Sequence, residues 1–243
     1  MTNKKTVGII GGMGPLATCD FFEKIVRMTE AKTDQDHLHI IIDNETAIPD
    51  RSKAVLEGTD APVEPIVTAG RRLIGAGAEL LVMSCNTAHC FYDKIAPCLD
   101  VPLINMVRET AKGLQAMGIK KAGILATSGL LRSGVYSREL AQYGIGTLQP
   151  DDAEQQIVQE LIFKGVKAGN YGYDADGFRQ VLKALKDRGA EALIMACTEI
   201  PLAFELYGIE EKGLDPAVFA AAAVIRSAGG KVRQPEGYVF PEH

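Results

Sequence analysis

The chain repeats itself. The segment Gly77-Ala-Glu-Leu-Leu-Val-Met-Ser-Cys85 returns as Gly189-Ala-Glu-Ala-Leu-Ile-Met-Ala-Cys197, identical at six of nine positions at an offset of 112 residues. The runs Val7-Gly-Ile-Ile and Ala122-Gly-Ile-Leu pair at an offset of 115, so the likeness spans most of each half. A chain built this way folds as two similar halves. With 243 residues and 47% hydrophobic character it has material for one large core or for two of half that size.

The pattern within each half specifies the fold class. Short apolar runs at 6–10, 39–42, 80–83, 103–105, 122–125 and 192–195 are bounded by glycine or polar residues. Between them, 16–28, 65–76, 108–117, 153–168 and 176–188 carry helical periodicity, and 216–227 opens with the proline favoured in a first helical turn. Alternation of this kind predicts an α/β protein of two parallel-sheet, Rossmann-like domains related by a pseudo-twofold axis. The expected division puts residues 1–110 and 215–243 in the first domain and 111–214 in the second, with the active site in the cleft between them.

Charge and composition exclude several classes of partner. The net charge of −5, the lack of a basic tract and the absence of Trp argue against nucleic acid. No apolar run approaches the ~20 residues of a membrane span, and residues 1–6 lack the apolar stretch of a signal peptide, so a cytoplasmic protein away from the membrane is expected. The five cysteines are odd in number and follow no framework spacing, which predicts thiols rather than disulfides.

Two of those cysteines carry the chemistry. Each ends a buried strand and is followed by polar residues, as Cys85-Asn86-Thr87 and as Cys197-Thr198-Glu199. Open α/β sheets bind ligands beyond the carboxyl ends of their strands, so two halves facing one another bring both thiols to one cleft. Inverting a stereocentre by proton transfer needs one group to remove hydrogen from one face and another to return it from the opposite face. Thiols suit the task because an ordinary pKa of about 8.5 is readily shifted, leaving one thiolate and one thiol. A lone cysteine is more often a small buried hydrophobe, and Cys19, Cys90 and Cys98, which have no symmetric counterpart, are read that way. A zinc site on Cys85, His89 and Cys90 lacks a Cys-x-x-Cys pair and any His near Cys197, so no metal is expected.

The glycine loop supports a rival reading. Gly12-Met13-Gly14-Pro15-Leu16-Ala17 follows a strand and precedes a helix, as in an NAD-dependent oxidoreductase, with Asp43 ending the next strand. Asp43 lies later than the usual spacing of ~20 residues, and the matching turn of the second half reads Ala126-Thr127-Ser128-Gly129. The same loop also serves as a tight turn, or offers amides to a carboxylate.

Gly11-Gly-Met-Gly-Pro15, Cys85-Asn-Thr87 and Cys197-Thr-Glu199 together resemble the motifs of the aspartate/glutamate racemase family, with the glycine motif nearest its aspartate racemase branch. The resemblance runs from about residue 7 to 225. It implies cofactor-independent racemisation of an acidic amino acid, aspartate first and glutamate next, usually by a homodimer. It implies Cys85 and Cys197 as acid and base. Asn86, Thr87 and Thr198 would bind the α-carboxylate and amino group, with Thr127 assisting and Met13 lining the substrate. Arg51 and Lys167 would grip the side-chain carboxylate, Lys164 being the nearest competitor to Lys167. Phe163 stands where the family often has tyrosine; Glu199 either orients a substrate amine or the neighbouring thiol or is a solvated strand-end carboxylate, and His89 packs beside the motif. Hydantoin racemisation and decarboxylation of malonate-type acids are related chemistries on the same scaffold.

Overall fold

The computed structural model describes residues 4–241. Residues 1–3 and 242–243, counted above in the first domain, lie outside the described residues. Two wholly parallel sheets form. The first contains β1 (Val7–Gly11), β2 (Ile40–Asn44), β3 (Leu80–Met83) and β4 (Leu103–Ile104) in the order β2-β1-β3-β4. The second contains β5 (Lys121–Leu125), β6 (Gly146–Leu148) and β7 (Ala192–Met195) in the order β6-β5-β7. The helices are α1 (Pro15–Met28), α2 (Arg51–Glu57), α3 (Val63–Gly75), α4 (Tyr92–Ile95), α5 (Met106–Ala116), α6 (Ser128–Ser133), α7 (Val135–Gln142), α8 (Asp152–Glu160), α9 (Asp176–Asp187), α10 (Glu199–Leu206) and α11 (Pro216–Ser227).

The two sheets are copies of one design. Strand β5 takes the central position of β1, flanked by β6 and β7 as β1 is by β2 and β3. The copy extends further than the sequence match. Leu214 bridges Ile194 in parallel where Ile104 pairs with Val82 in the first sheet. Asn105 then caps α5 by accepting from the Arg108 amide, and Asp215 caps α11 by accepting from the Ala217 amide. A single bridge is what remains of a fourth strand in the second half.

Apolar side chains on both faces of each strand explain why the runs read as continuously hydrophobic. In the first sheet Ile10, Leu81 and Met83 pack outward against Ile66 and Leu73 of α3, while Val7, Ile9, Leu80 and Val82 face inward. In the second, Leu125, Leu193 and Met195 meet Val158 of α8 and Phe178 and Leu182 of α9, while Ala122, Ile124 and Ile194 face inward. Both inward faces close on one shared layer that contains α5 and α11. Every residue of α11 from Pro216 to Ile225 is buried, and its four successive alanines let neighbouring elements approach closely. The expected boundary between residues 110 and 111 falls inside α5, which is continuous.

The long periodic helices form close to their expected limits. The short elements α2, α4, α6, α7, α10 and β6 were not anticipated. At three to eight residues they are too short for periodicity to mark; α2 is set by its caps, with Asp50 accepting from the Lys53 amide at 2.7 Å at its start and Gly58 ending it in the left-handed region at φ 68°.

The α5–α11 crossing yields a stability prediction. A Cβ on Gly113 would lie 2.1 Å from the Phe219 ring. Alanine gains about 1 kcal/mol of helix propensity, but overpacking in a closed core costs as much as ~3 kcal/mol. We expect Gly113→Ala to lower stability by about 2 kcal/mol in urea unfolding; an increase would mean that the crossing is loosely packed.

Candidate active site

Equivalent backbone geometry delivers the two cysteines. The Ser84 amide donates to the Ile10 carbonyl beyond β3, and the Ala196 amide donates to the Leu125 carbonyl beyond β7. The next residue in each case is the cysteine, 5% exposed for Cys85 and 6% for Cys197. Both line a single cleft of about 380 Å³. Met13, Arg51, Asn86, Thr87, Thr127, Lys167 and Thr198 line the same cleft, so the residues expected to bind substrate lie with both cysteines. Asp50, Ser52, Phe163 and Glu199 complete the lining.

Arg51 enters from the first turn of α2. Its Nη1 donates to the carbonyls of Ile48 at 3.1 Å and Pro49 at 3.0 Å, and its Nη2 to the carbonyl of Met13 at 3.0 Å. Its Nε is buried without a partner, and no carboxylate pairs with it among the described residues. Carbonyl dipoles orient the guanidinium but do not neutralise it, so a positive charge is left for an anion in the cleft. Asn86 offers a second unmet donor. Tyr136, reaching across from α7, donates its hydroxyl to Asn86 Oδ1, which leaves the buried Nδ2 unpartnered beside Cys85. An uncompensated cation and an orphan amide in one small cleft favour a carboxylate ligand.

The glycine loop shapes the wall beneath them. The Gly12 amide donates to Thr18 Oγ1 at 3.0 Å, and a Cβ at Gly12, where φ is +83°, would meet the Glu45 backbone at 2.4 Å. The first loop amide is therefore engaged within the protein, and the loop's contact with the site is made through Met13 and its carbonyl.

On the opposite wall the helix expected over 153–168 changes character. After α8 the chain runs as π-helix over Leu161–Val166, and the Lys167 amide donates to the Ile162 carbonyl at 3.0 Å. The wider turn brings Phe163 and Lys167 to the cleft, whereas Lys164 pairs with Glu160 on the surface. Lys167 forms an ion pair with Glu199, in the first turn of α10. Burial lowers the Lys167 pKa, but the Glu199 carboxylate outweighs that and holds it above the ordinary value. The other Glu199 oxygen accepts from Cys197 Sγ at 3.0 Å and from Thr198 Oγ1 at 3.2 Å. Burial, reinforced by the Glu199 charge, pushes the Cys197 thiol well above its usual range.

The walls are tied together at the mouth. Ser52 Oγ donates to Thr127 Oγ1 at 3.3 Å and accepts from the Gly129 amide at 3.2 Å, so α2 is latched to the first turn of α6. Ser52 and Asp50 carry no motif signal of their own; the signal that could have found them is Pro49-Asp50, since Asp50 caps α2 and Ser52 lies in its first turn. Glu199 and the neighbouring Cys197 were visible in the sequence as one of two readings, whereas the ion pair with Lys167, 32 residues away, was not.

His89 packs behind the site. Its Nδ1–H donates to the Cys85 carbonyl at 2.8 Å and its Nε2 accepts from the Met106 amide at 3.1 Å, which joins the cysteine turn to the start of α5. Both ring nitrogens are occupied, and no group of three His, Cys, Asp or Glu positioned to hold a metal occurs among the described residues. Burial lowers the His89 pKa to about 4. An unfolded chain takes up this proton near pH 6.5 while the native one does not, so stability is full above pH ~6.5 and declines as pH falls toward 4. The expected loss is about 3 kcal/mol by linkage, read from urea midpoints across that window, and the slope should flatten in His89→Gln.

Comparison with known proteins agrees with this geometry. The family profile described as Asp/Glu/Hydantoin racemase matches residues 10–224. The solved aspartate racemase of Picrophilus torridus is 35% identical, with 94% of this chain and 96% of that one covered at a TM-score of 0.83. An aspartate racemase homologue from Pyrococcus horikoshii is 25% identical, covering 93% and 99% at 0.75. The broad specificity amino-acid racemase RacX of Bacillus subtilis is 29% identical over 198 residues, 80% of this chain and 85% of its own. The profile match, the shared two-sheet fold and the relatives' racemase activity support amino-acid racemase chemistry. With most of its length matched, the chain belongs to the Asp/Glu/hydantoin racemase family.

Proposed function

We propose that this protein racemises aspartate, with glutamate as the next substrate, by a two-thiol mechanism that uses no cofactor. The observation that carries the reading is that two cysteines, at equivalent ends of equivalent strands, line one cleft. One thiolate takes the Cα proton and the opposing thiol returns a proton to the other face. In this reading residues 1–110 and 215–243 form one wall, 111–214 the other, and the working unit is a homodimer.

The substrate's three arms would be held separately. Asn86 Nδ2 and the hydroxyls of Thr87 and Thr198 serve the α-carboxylate and amine, and charge developing at Cα spreads into that carboxylate, where fixed donors stabilise it. Thr127 supports this end from the latched turn. The side-chain carboxylate goes to Arg51, whose charge no carboxylate among the described residues meets, and to Lys167, for which it competes with Glu199. Met13 and Phe163 bound the space for the side-chain carbons.

Polarimetry with L- and D-aspartate tests the activity, and solvent deuterium entering at Cα tests the chemistry. Cys85→Ala and Cys197→Ala should each abolish racemisation while keeping the native circular dichroism; full activity in either would rule out paired thiols. A requirement for pyridoxal phosphate would rule out the cofactor-free route. Arg51→Leu should raise KM for aspartate roughly 10- to 100-fold, the loss of a charged hydrogen-bonded contact, and an unchanged KM would remove Arg51 from the substrate grip.

A further inference from the structure

The repeat that pairs the cysteines also reveals where the halves differ. At the 112-residue offset Glu199 corresponds to Thr87, so a carboxylate follows one thiol and a hydroxyl follows the other. Glu199 is buried, and its oxygens are divided: Oε1 takes the Lys167 ammonium and Oε2 accepts from Cys197 Sγ at 3.0 Å. Cys85 enters hydrogen bonding through its carbonyl, which accepts from His89.

We propose that Glu199 is a positioning residue that keeps the proton on Cys197 between turnovers, so that the resting site has a polarity, with Cys85 as base and Cys197 as acid. The inference rests on the two-thiol reading above. A carboxylate accepting from a thiol stabilises the S–H form and repels the thiolate, and burial of the pair strengthens both effects. The charged and titratable groups facing Cys197 are Glu199 from α10, Lys167 from the π-helical turn, Cys85 beyond β3, and Asp50 and Arg51 from the start of α2. Of these, Lys167 favours the thiolate, but its charge is already engaged by Glu199.

The proton count closes. Cys85 thiolate accepts the Cα proton and becomes a thiol; Cys197 thiol gives its proton to the opposite face and becomes a thiolate. The resting state returns when Cys85 releases its proton to solvent and Cys197 takes one up, a transfer that the Glu199 acceptor favours. The enantiomer whose Cα–H faces Cys85 meets the enzyme already poised, whereas its mirror image needs the less populated form. Because the two enantiomers are equal in energy, kcat/KM is the same in both directions. The polarity therefore appears in kcat and KM taken separately.

The test is the pH dependence of iodoacetamide alkylation at each cysteine, read by peptide mass spectrometry in the full-length protein. In the wild type Cys197 should react only above the pH at which an ordinary thiol does. Glu199→Gln should shift the Cys197 profile downward by about one pH unit or more, and the basic limb of kcat/KM should move with it. Glu199→Asp, which keeps the charge, should hold both near their wild-type positions. An unmoved Cys197 profile in Glu199→Gln, alongside inactive Cys85→Ala and Cys197→Ala variants, overturns the role of Glu199 alone. Full activity in the cysteine variants overturns the two-thiol reading and this inference with it, so the two failures are told apart.

Discussion

The shared apolar layer between the two sheets is the constraint from which the rest follows. Strands with hydrophobic side chains on both faces cannot leave either face in water, and here the inward faces of both sheets are buried against the same helices. Helices α5 and α11 each descend from an equivalent capped turn, after Ile104 and after Leu214, and they cross so closely that Gly113 lies under the Phe219 ring. Close packing of this kind leaves the halves little freedom to slide. The cysteine-bearing ends of β3 and β7 consequently open on one cleft rather than on two surfaces.

A pseudo-twofold scaffold answers only part of what racemisation demands. In the proposed mechanism the two faces of the reacting carbon are treated alike, which duplicated strand ends with duplicated thiols would provide. The substrate itself has no such symmetry: its carboxylate, amine and side chain must stay in place for both hands while one hydrogen changes sides. The groups proposed to grip it are correspondingly unpaired by the repeat. Arg51 belongs to the first half, held by three carbonyls, whereas Lys167 and Glu199 belong to the second. In that proposal symmetry is kept where the proton moves and dropped where the ligand's side chain is held.

The latch from Ser52 to Thr127 and Gly129 and the bond from Tyr136 to Asn86 show how the halves complete each other. Neither wall has its final geometry alone. Tyr136 of α7 decides which end of the Asn86 amide faces the cleft, and Ser52 of α2 helps hold the turn that carries Thr127. Buried polar contacts of this type are costly to leave half made, so they bind the walls to one arrangement.

The amino-acid sequence by itself determined the two-sheet fold, its long helices and its pair of thiols, because period, repeat and motif are local properties that survive without knowledge of the partners. It also drew Arg51 and Lys167 toward the substrate through resemblance to a family. Only the tertiary structure decided what those side chains meet. The π-helical turn that aims Lys167 depends on how Leu161–Val166 packs, and Arg51, Asn86 and Glu199 each have a partner lying 38, 50 and 32 residues away in the chain, respectively. Such contacts are set by how distant segments converge, and the charge and proton state of a buried group follow from its neighbours in space rather than its neighbours in sequence.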